Sequence, residues 1–305
     1  MIQTYDISQL RPYINWPYFF FAWQVKDPSE KERLRQESEV FLDTLEGNYH
    51  AHALFLLLDA YSDGDDIIVF RGMRNEECGM WNEECGMRIP CLRQQQGEPP
   101  YLCLADFICP LNKSHSTFHI PHSTKSLPHS TKSLPHSTKS LPHSTKIGLF
   151  ATSVDMGLET DFSSDAYQKM LAQLLADRLA EAAAERVHEQ VRKEFWGYAK
   201  DEQLTIPEML IEKFQGIRPA VGYPSLPDAS LNFILDDLLD MKQIGIRLTE
   251  SGAMKPHASV SGLMLAHPKA HYFSIGKIGE DQLRDYARRR GLPIEVCRKF
   301  LAANL

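Results

Sequence analysis

The sequence lacks the features of several large protein classes. The longest apolar run near the start, residues 17–23, is far too short to cross a membrane, so no membrane partner is expected. Acidic residues outnumber basic ones, 40 Asp and Glu against 33 Lys and Arg, and the formal net charge is −7. This balance argues against a nucleic-acid-binding protein.

Cysteine motifs and catalytic motifs are also missing. The six cysteines form no Cys-x-x-Cys pair and have no spacing typical of a metal site. The N-terminus has no basic region followed by an apolar run, so no signal peptide is expected. Free thiols and a cytoplasmic location follow as expectations. We find no glycine-rich dinucleotide motif, no P-loop, and no nucleophile at a recognisable spacing from a base.

What is present is the composition of a globular protein with a large core. Of 305 residues, 43% are hydrophobic and 24% are charged. The charge is uneven, since residues 111–146 hold five Lys and no acidic residue, and the rest of the chain therefore carries −12.

A tandem repeat interrupts the chain. Pro-His-Ser-Thr-Lys-Ser-Leu occurs at 121–127, 128–134 and 135–141, and a partial fourth copy ends at Lys146. A proline in every repeat excludes a continuous helix, and one leucine per repeat cannot bury a core. Residues 112–146 are therefore predicted to be a disordered low-complexity insertion. Its regularly spaced histidines predict weak metal binding in vitro and no physiological metal site.

A shorter duplication precedes it. Asn-Glu-Glu-Cys-Gly-Met occurs at 75–80 and again at 82–87. Two cysteines among four glutamates are candidate metal ligands, but the seven-residue spacing is not that of zinc sites. A duplicated surface loop is the preferred interpretation.

Hydrophobic periodicity and capping residues predict alternating helices and strands. Asp-Gly between two apolar runs predicts a hairpin turn at 62–65. Helices are predicted over 29–46, 165–196, 228–239, 280–290 and 293–303, with a short helix capped by Thr205. Strands are predicted over 52–58, 67–70, 101–108, 147–154, 260–266 and 272–278, the last two as a hairpin.

The stretch 212–224 is the most informative part of the chain. Gly216 fits the left-handed position after a helix, and Pro219 holds Arg218 in an extended conformation. Gly222 permits close approach to the backbone. Free backbone groups beside a guanidinium suit a ligand that carries a carboxylate. The alternative is an exposed turn with a solvated arginine.

This stretch resembles the S-adenosylmethionine-binding activation domain of cobalamin-dependent methionine synthase, whose motif is Arg-x-x-x-Gly-Tyr. The motif is matched by Arg218, Gly222 and Tyr223, and its surroundings are similar at 196–199, 249–251, 258–262 and 267–268. The resemblance covers roughly 4–110 and 147–305. It implies an α+β fold, a C-shaped single domain over 1–305 with a central twisted antiparallel sheet flanked by helices.

The resemblance also implies roles for individual residues. Arg218 would pair with the methionine carboxylate of S-adenosylmethionine, and Glu181 with its ammonium group. The remaining implied contacts are the backbone of Pro219, Ala220 and Gly222 with adenine, Tyr223 and Tyr272 lining the site, Glu212 nearby, and Asn15 where many members carry an acidic residue. From the residues alone, Glu181 is a helix-boundary carboxylate and Tyr272 a half-buried strand tyrosine.

The implied function is reactivation. The family domain presents the methyl group of S-adenosylmethionine to a cobalamin on another domain, and an electron from a flavodoxin-like or ferredoxin-like donor completes the repair of cob(II)alamin. The chain shows no homocysteine or folate barrel and no cobalamin-binding Asp-x-His-x-x-Gly. It is therefore either an excised domain or a free-standing subunit. The alternatives are a binding relic and an independent small-molecule methyltransferase.

Overall fold

A computed structural model describes residues 1–70, 86–110 and 145–305. The strands are β1 (Ile2–Asp6), β2 (His50–Asp63), β3 (Asp66–Phe70), β4 (Gly86–Pro90), β5 (Thr145–Val154), β6 (Arg247–Leu248), β7 (Met254–Lys255) and β8 (Ser259–Met264). The helices are α1 (Ile7–Leu10), α2 (Trp16–Ala22), α3 (Pro28–Leu45), α4 (Gly157–Thr160), α5 (Ala166–Gln190), α6 (Ile206–Leu210), α7 (Leu231–Leu239), α8 (Glu280–Arg290) and α9 (Ile294–Phe300).

One antiparallel sheet organises the described chain. Its strand order is β4-β3-β2-β5-β8, and β1 pairs with the first part of β2. The predicted hairpin is confirmed, because Asp63 pairs with Asp66 across the turn between β2 and β3. β6 and β7 form a separate two-stranded pair. The structure is a single domain of mixed helices and an antiparallel sheet, as the resemblance implies.

The sheet is buried on both faces. Along β2, Phe55 belongs to the core under α5, whereas Leu54 and Leu58 belong to the core on the opposite face. This alternation is the period of two that a strand imposes. The helix α5 begins after its cap Asp165, and its predicted apolar face at Leu171, Leu175 and Leu179 is buried. A π-helical turn, Val191–Phe195, continues α5.

One predicted strand, 101–108, is wrong. The chain there makes a 3-10 turn at Leu104–Phe107. The Asp106 carboxylate accepts a hydrogen bond from the Cys103 amide at 2.9 Å, and the Arg93 guanidinium donates two more at 2.7 Å. These bonds satisfy polar groups locally, so the apolar residues of this segment are buried without a strand.

The predicted hairpin between 260–266 and 272–278 is also wrong in its second half. β8 forms, but its outer edge pairs with residues 217–223, which we call the motif segment. Ile217 and Leu265 exchange two backbone bonds at 2.9 Å, Leu263 donates to the Pro219 carbonyl at 3.0 Å, and Val221 donates to the Ser261 carbonyl at 2.9 Å. The edge is thus occupied, and residues 272–278 run alongside the exit of the motif segment, where the Ile275 amide donates to the Pro224 carbonyl.

Several predictions from the repeats fall where the structure is not described. The insertion at 112–146 lies outside the described residues, except for Thr145 and Lys146, which begin β5. Of the duplicated hexapeptides, only Gly86 and Met87 are described, and they begin β4. Across 1–70, 86–110 and 145–305, no helix has the length and apolar content needed to cross a bilayer.

Gly262 is the point where β8 and the motif segment come closest. A Cβ added there would lie 2.8 Å from the Ala220 Cα and 2.9 Å from a ring carbon of Phe150, and closer still to the Pro219 carbonyl oxygen. We expect Gly262→Ala to lower the free energy of unfolding by about 1–3 kcal/mol, as overpacking does. Urea denaturation followed by circular dichroism measures this change. Gly279→Ala is the matched control, because the described atoms nearest to its Cβ would be the flexible ends of the Asp281 and Gln95 side chains. Equal losses in both variants would contradict the assignment.

Candidate functional site

The motif segment begins after a helix end that sequence patterns assigned to the wrong residue. α6 ends in a turn where the Glu212 amide donates to the Met209 carbonyl and the Lys213 amide donates to the Glu208 carbonyl. This is a Schellman arrangement, and Glu212 is its left-handed residue, with φ 61°. Gly216 also has a positive φ, 85°, but it lies further on, packed against the Leu265 backbone. The expectation that Gly216 directly terminates the helix is therefore wrong.

Backbone alternation decides which groups of the motif segment face β8. Residues 217, 219 and 221 use their polar groups on β8, so those of Arg218 and Ala220 point to the other side. The Arg218 amide donates to the Tyr272 hydroxyl at 2.9 Å. Within the described part of the chain, the Ala220 amide has no hydrogen-bond acceptor, and the Ala220 carbonyl accepts only the Tyr223 amide at 3.2 Å. The Ala220 amide is therefore unpaired within the described chain, and the Ala220 carbonyl keeps a second lone pair.

The Arg218 side chain reaches α5 and is only 9% exposed. Nη2 donates to Glu185 Oε1 at 2.6 Å, and Nη1 lies within 3.1–3.3 Å of the Ala184 carbonyl, Glu185 Oε2 and His188 Nδ1. Burial alone would lower the pKa of the guanidinium, but Glu185 raises it, and the net pKa lies above the ordinary arginine value. These bonds leave Nε and one Nη2 hydrogen, the edge with which arginine grips a carboxylate.

His188 supplies a neutral side-chain partner for Arg218. Its side chain is fully buried, and burial together with the charges of Arg218 and Arg192 holds its pKa well below the usual histidine value. Because a guanidinium only donates, Nδ1 must carry the lone pair and Nε2 the proton. Nε2 lies 3.4 Å from the Tyr198 hydroxyl. The Phe214 ring is nearly perpendicular to the His188 ring, and the two ring centroids lie 4.9 Å apart.

Glu181 lies one helical turn before Glu185 on the same face of α5. The Tyr223 hydroxyl donates to Glu181 Oε1 at 2.8 Å. Burial and the Glu181 charge raise the pKa of Tyr223 above the usual tyrosine value. Both residues border a cavity of about 230 Å³ between α5, the motif segment and the start of β8, whose other polar lining includes Asp177, Arg178 and His257.

Comparison with known proteins gives the family. A sequence model described as the vitamin B12 dependent methionine synthase activation domain matches residues 6–291. The chain belongs to this family. A crystal structure of the MetH reactivation domain bound to AdoHcy is similar, with a TM-score of 0.81 and 34% sequence identity, over 100% of this chain and 90% of that one.

The activation domain brings most of the predicted site residues together. Arg218, Tyr272 and Glu185 form one cluster, and Glu181 and Tyr223 form another one turn along α5. Glu212 stands beside the first cluster, where burial and the Glu185 charge raise its pKa and Arg218 opposes the rise. The stretch of the motif segment between the two clusters contains Pro219, Ala220 and Gly222.

Asn15 is the predicted site residue that the described structure does not join to either cluster. It caps α2, and its side-chain oxygen lies 3.5 Å from the Tyr18 amide. In the described ranges, its contacts are local to that helix. Its role toward a ligand therefore stays a prediction from the resemblance.

Sequence reasoning missed Glu185 and His188. A signal for them existed, because positions four and seven residues after Glu181 lie on the same face of a helix. As for metals, no group of three or more His, Cys, Asp and Glu among the described residues is arranged to hold an ion.

The low pKa of His188 predicts a pH dependence of stability. Below the unfolded-state pKa of about 6.5 the unfolded chain binds a proton that the folded chain does not, so stability falls as pH falls. In His188→Gln this contribution is absent. The difference in free energy of unfolding between wild type and variant should therefore shrink by about 1.4 kcal/mol between pH 7.5 and 5.5. Denaturant titrations at each pH measure it, and a constant difference would show that His188 titrates normally.

Proposed function

We propose that this activation domain binds S-adenosylmethionine and presents its methyl group to a cobalamin carried by another domain or chain, for reductive remethylation in methionine biosynthesis. The observation that carries the proposal is the placement of two clusters one helical turn apart along α5, Arg218 with Glu185 and Tyr223 with Glu181, on either side of an unpaired backbone edge at Ala220. Membership of the family and the AdoHcy-bound relative support it.

The amino-acid end of the ligand needs one cation and one anion. The remaining edge of the Arg218 guanidinium suits the carboxylate, because its Nε and Nη2 donors match two carboxylate oxygens. Glu181 suits the ammonium group, since its second oxygen is not used by the Tyr223 hydroxyl.

The adenine end needs a donor and an acceptor side by side. The Ala220 amide and carbonyl offer this pair on the outer side of the motif segment, and a carbonyl has a second lone pair. This donor and acceptor pair complements adenine, whose N1 accepts a hydrogen bond and whose amino group donates one. Gly222 leaves open space next to it, since no described atom other than those of its chain neighbours lies within 4 Å of where its Cβ would be. The rings of Tyr223 and Tyr272 are suited to a sulfonium nearby.

The chemical step itself belongs to the partner. Cobalamin bound to that partner would supply a cobalt nucleophile after cob(II)alamin gains one electron, and S-adenosylhomocysteine would be the leaving group. The domain's own contribution is to hold the sulfonium in a fixed orientation, which is a catalytic effect in itself. The electron would come from a flavodoxin-like or ferredoxin-like protein.

Arg218→Ala should weaken S-adenosylmethionine binding by about 1.5–3 kcal/mol, the range for a lost hydrogen bond to a charged group. Isothermal titration of the full chain measures this. Arg284→Ala, an exposed arginine on α8, is the control and should bind as wild type does. Unchanged affinity in Arg218→Ala would remove Arg218 from the site.

Glu181→Gln should weaken S-adenosylhomocysteine by about 1.5–3 kcal/mol and leave 5′-methylthioadenosine, which lacks the ammonium group, unaffected. Competition titrations compare the two ligands. A matched control is Glu280→Gln, because Glu280 is an exposed carboxylate on α8. Equal losses for both ligands would mean that Glu181 shapes the site and does not bind the amine.

Transfer is tested separately from binding. Wild type incubated with S-adenosylmethionine, a chemical one-electron reductant and a cobalamin-loaded partner domain should remethylate the cobalamin. Binding without remethylation would favour the relic. Methyl transfer to a small molecule without cobalamin would favour the independent methyltransferase.

A further inference from the structure

We propose that His188 is a positioning residue for Arg218, which holds the guanidinium so that its Nε and Nη2 edge faces the ligand carboxylate. This inference rests on the proposed function and deepens it. His188 Nδ1 lies 3.3 Å from Arg218 Nη1, and the Tyr198 hydroxyl lies 3.4 Å from His188 Nε2. Neither residue is part of the described lining of the cavity next to Glu181.

The hydrogen-bond donors of Arg218 carry the first step. A guanidinium has five N–H donors in a rigid plane. Those on Nη1 are directed to the Ala184 carbonyl, Glu185 and His188, and one on Nη2 is directed to Glu185. All of these partners lie on α5. Because the plane is rigid, fixing this end fixes the opposite edge, and that edge is the one left for a carboxylate.

The neutrality of His188 carries the second step. Glu185 already brings one negative charge to Arg218. A second carboxylate at position 188 would satisfy Nη1 but would repel a ligand carboxylate. A neutral imidazole nitrogen accepts the hydrogen bond without adding charge. Its buried setting between Arg218 and Arg192 keeps the ring unprotonated, as the lowered pKa indicates.

The orientation of the His188 ring carries the third step. Nε2 lies 3.4 Å from the Tyr198 hydroxyl, and the Phe214 ring packs nearly perpendicular to the imidazole. Tyr198 in turn lies close to Gly216, where an added Cβ would be 3.2 Å from its hydroxyl. The ring is thus held from both sides, so its Nδ1 lone pair stays directed at Arg218.

The test compares two ligands that differ by one group. S-Adenosylhomocysteine carries the carboxylate, and its decarboxylated form keeps the amine, the thioether and the adenosine. Both are titrated against the full chain as wild type, His188→Leu, His188→Asn and Tyr198→Phe, after denaturation curves establish that each variant is folded. Asparagine keeps an acceptor close to the position of Nδ1, whereas leucine has none.

We expect His188→Leu to lose about tenfold in affinity for S-adenosylhomocysteine and to bind the decarboxylated ligand as wild type does. His188→Asn should restore most of the affinity, and Tyr198→Phe should show a smaller loss with the same selectivity. Equal losses for both ligands, or no loss in any folded variant, would overturn the inference. Should His188→Leu not fold, the same criterion applies to Tyr198→Phe. Failure of the wild type to bind S-adenosylhomocysteine would instead remove the proposed function, and this inference with it.

Discussion

The backbone pairing between the motif segment and β8 is the constraint on which the candidate site depends. It directs the polar groups of residues 217, 219 and 221 into the sheet, so those of Arg218 and Ala220 point to the other side. The pairing requires glycine at position 262, where no Cβ fits against the segment. A loop without this pairing would carry the same residues but would not present them in alternation. The site is thus a modified sheet edge, and its precision is that of a strand.

The buried charge of Arg218 makes the second requirement. Removing a guanidinium from water costs several kcal/mol unless charged and polar partners replace the water. Glu185 supplies the charge, and the Ala184 carbonyl and His188 supply neutral acceptors. This set stabilises Arg218 in the absence of ligand while leaving one edge unused. The negative charge of Glu185 weakens the attraction of Arg218 for a ligand carboxylate. In return for this loss, the guanidinium is already oriented before the ligand binds, so less conformational entropy is lost on binding.

Local signals predicted much of the fold. The period of α5, the Asp-Gly turn after β2 and the capping residues predicted elements that the structure confirms. The two wrong strand predictions, 101–108 and 272–278, share a cause. Both segments are rich in apolar residues with a preference for strands, but their backbone polar groups find hydrogen-bond partners other than a neighbouring strand. Residues 272–278 cannot pair with β8 because the motif segment already occupies that edge. This is a contact between distant parts of the chain, so no local sequence pattern could reveal it. Gly216 was misplaced for another reason: α6 already ends at the left-handed residue Glu212, and a glutamate is an uncommon residue in that position.

The site residues divide along the same line. Arg218, Gly222 and Tyr223 stand in one short pattern, so the sequence itself exposes them. Glu181 needed the family resemblance, because a carboxylate at a helix boundary is ordinarily solvated. Glu185 and His188 follow from Glu181 once α5 is known to face the motif segment, since a rigid helix repeats its face every three to four residues. One helix thereby carries the described hydrogen-bond acceptors of the Arg218 side chain and the carboxylate proposed for the amine. With these groups fixed on a single rigid element, the fit to a ligand depends on where the motif segment lies, and Gly262 permits the close contact of that segment with β8 at Pro219 and Ala220.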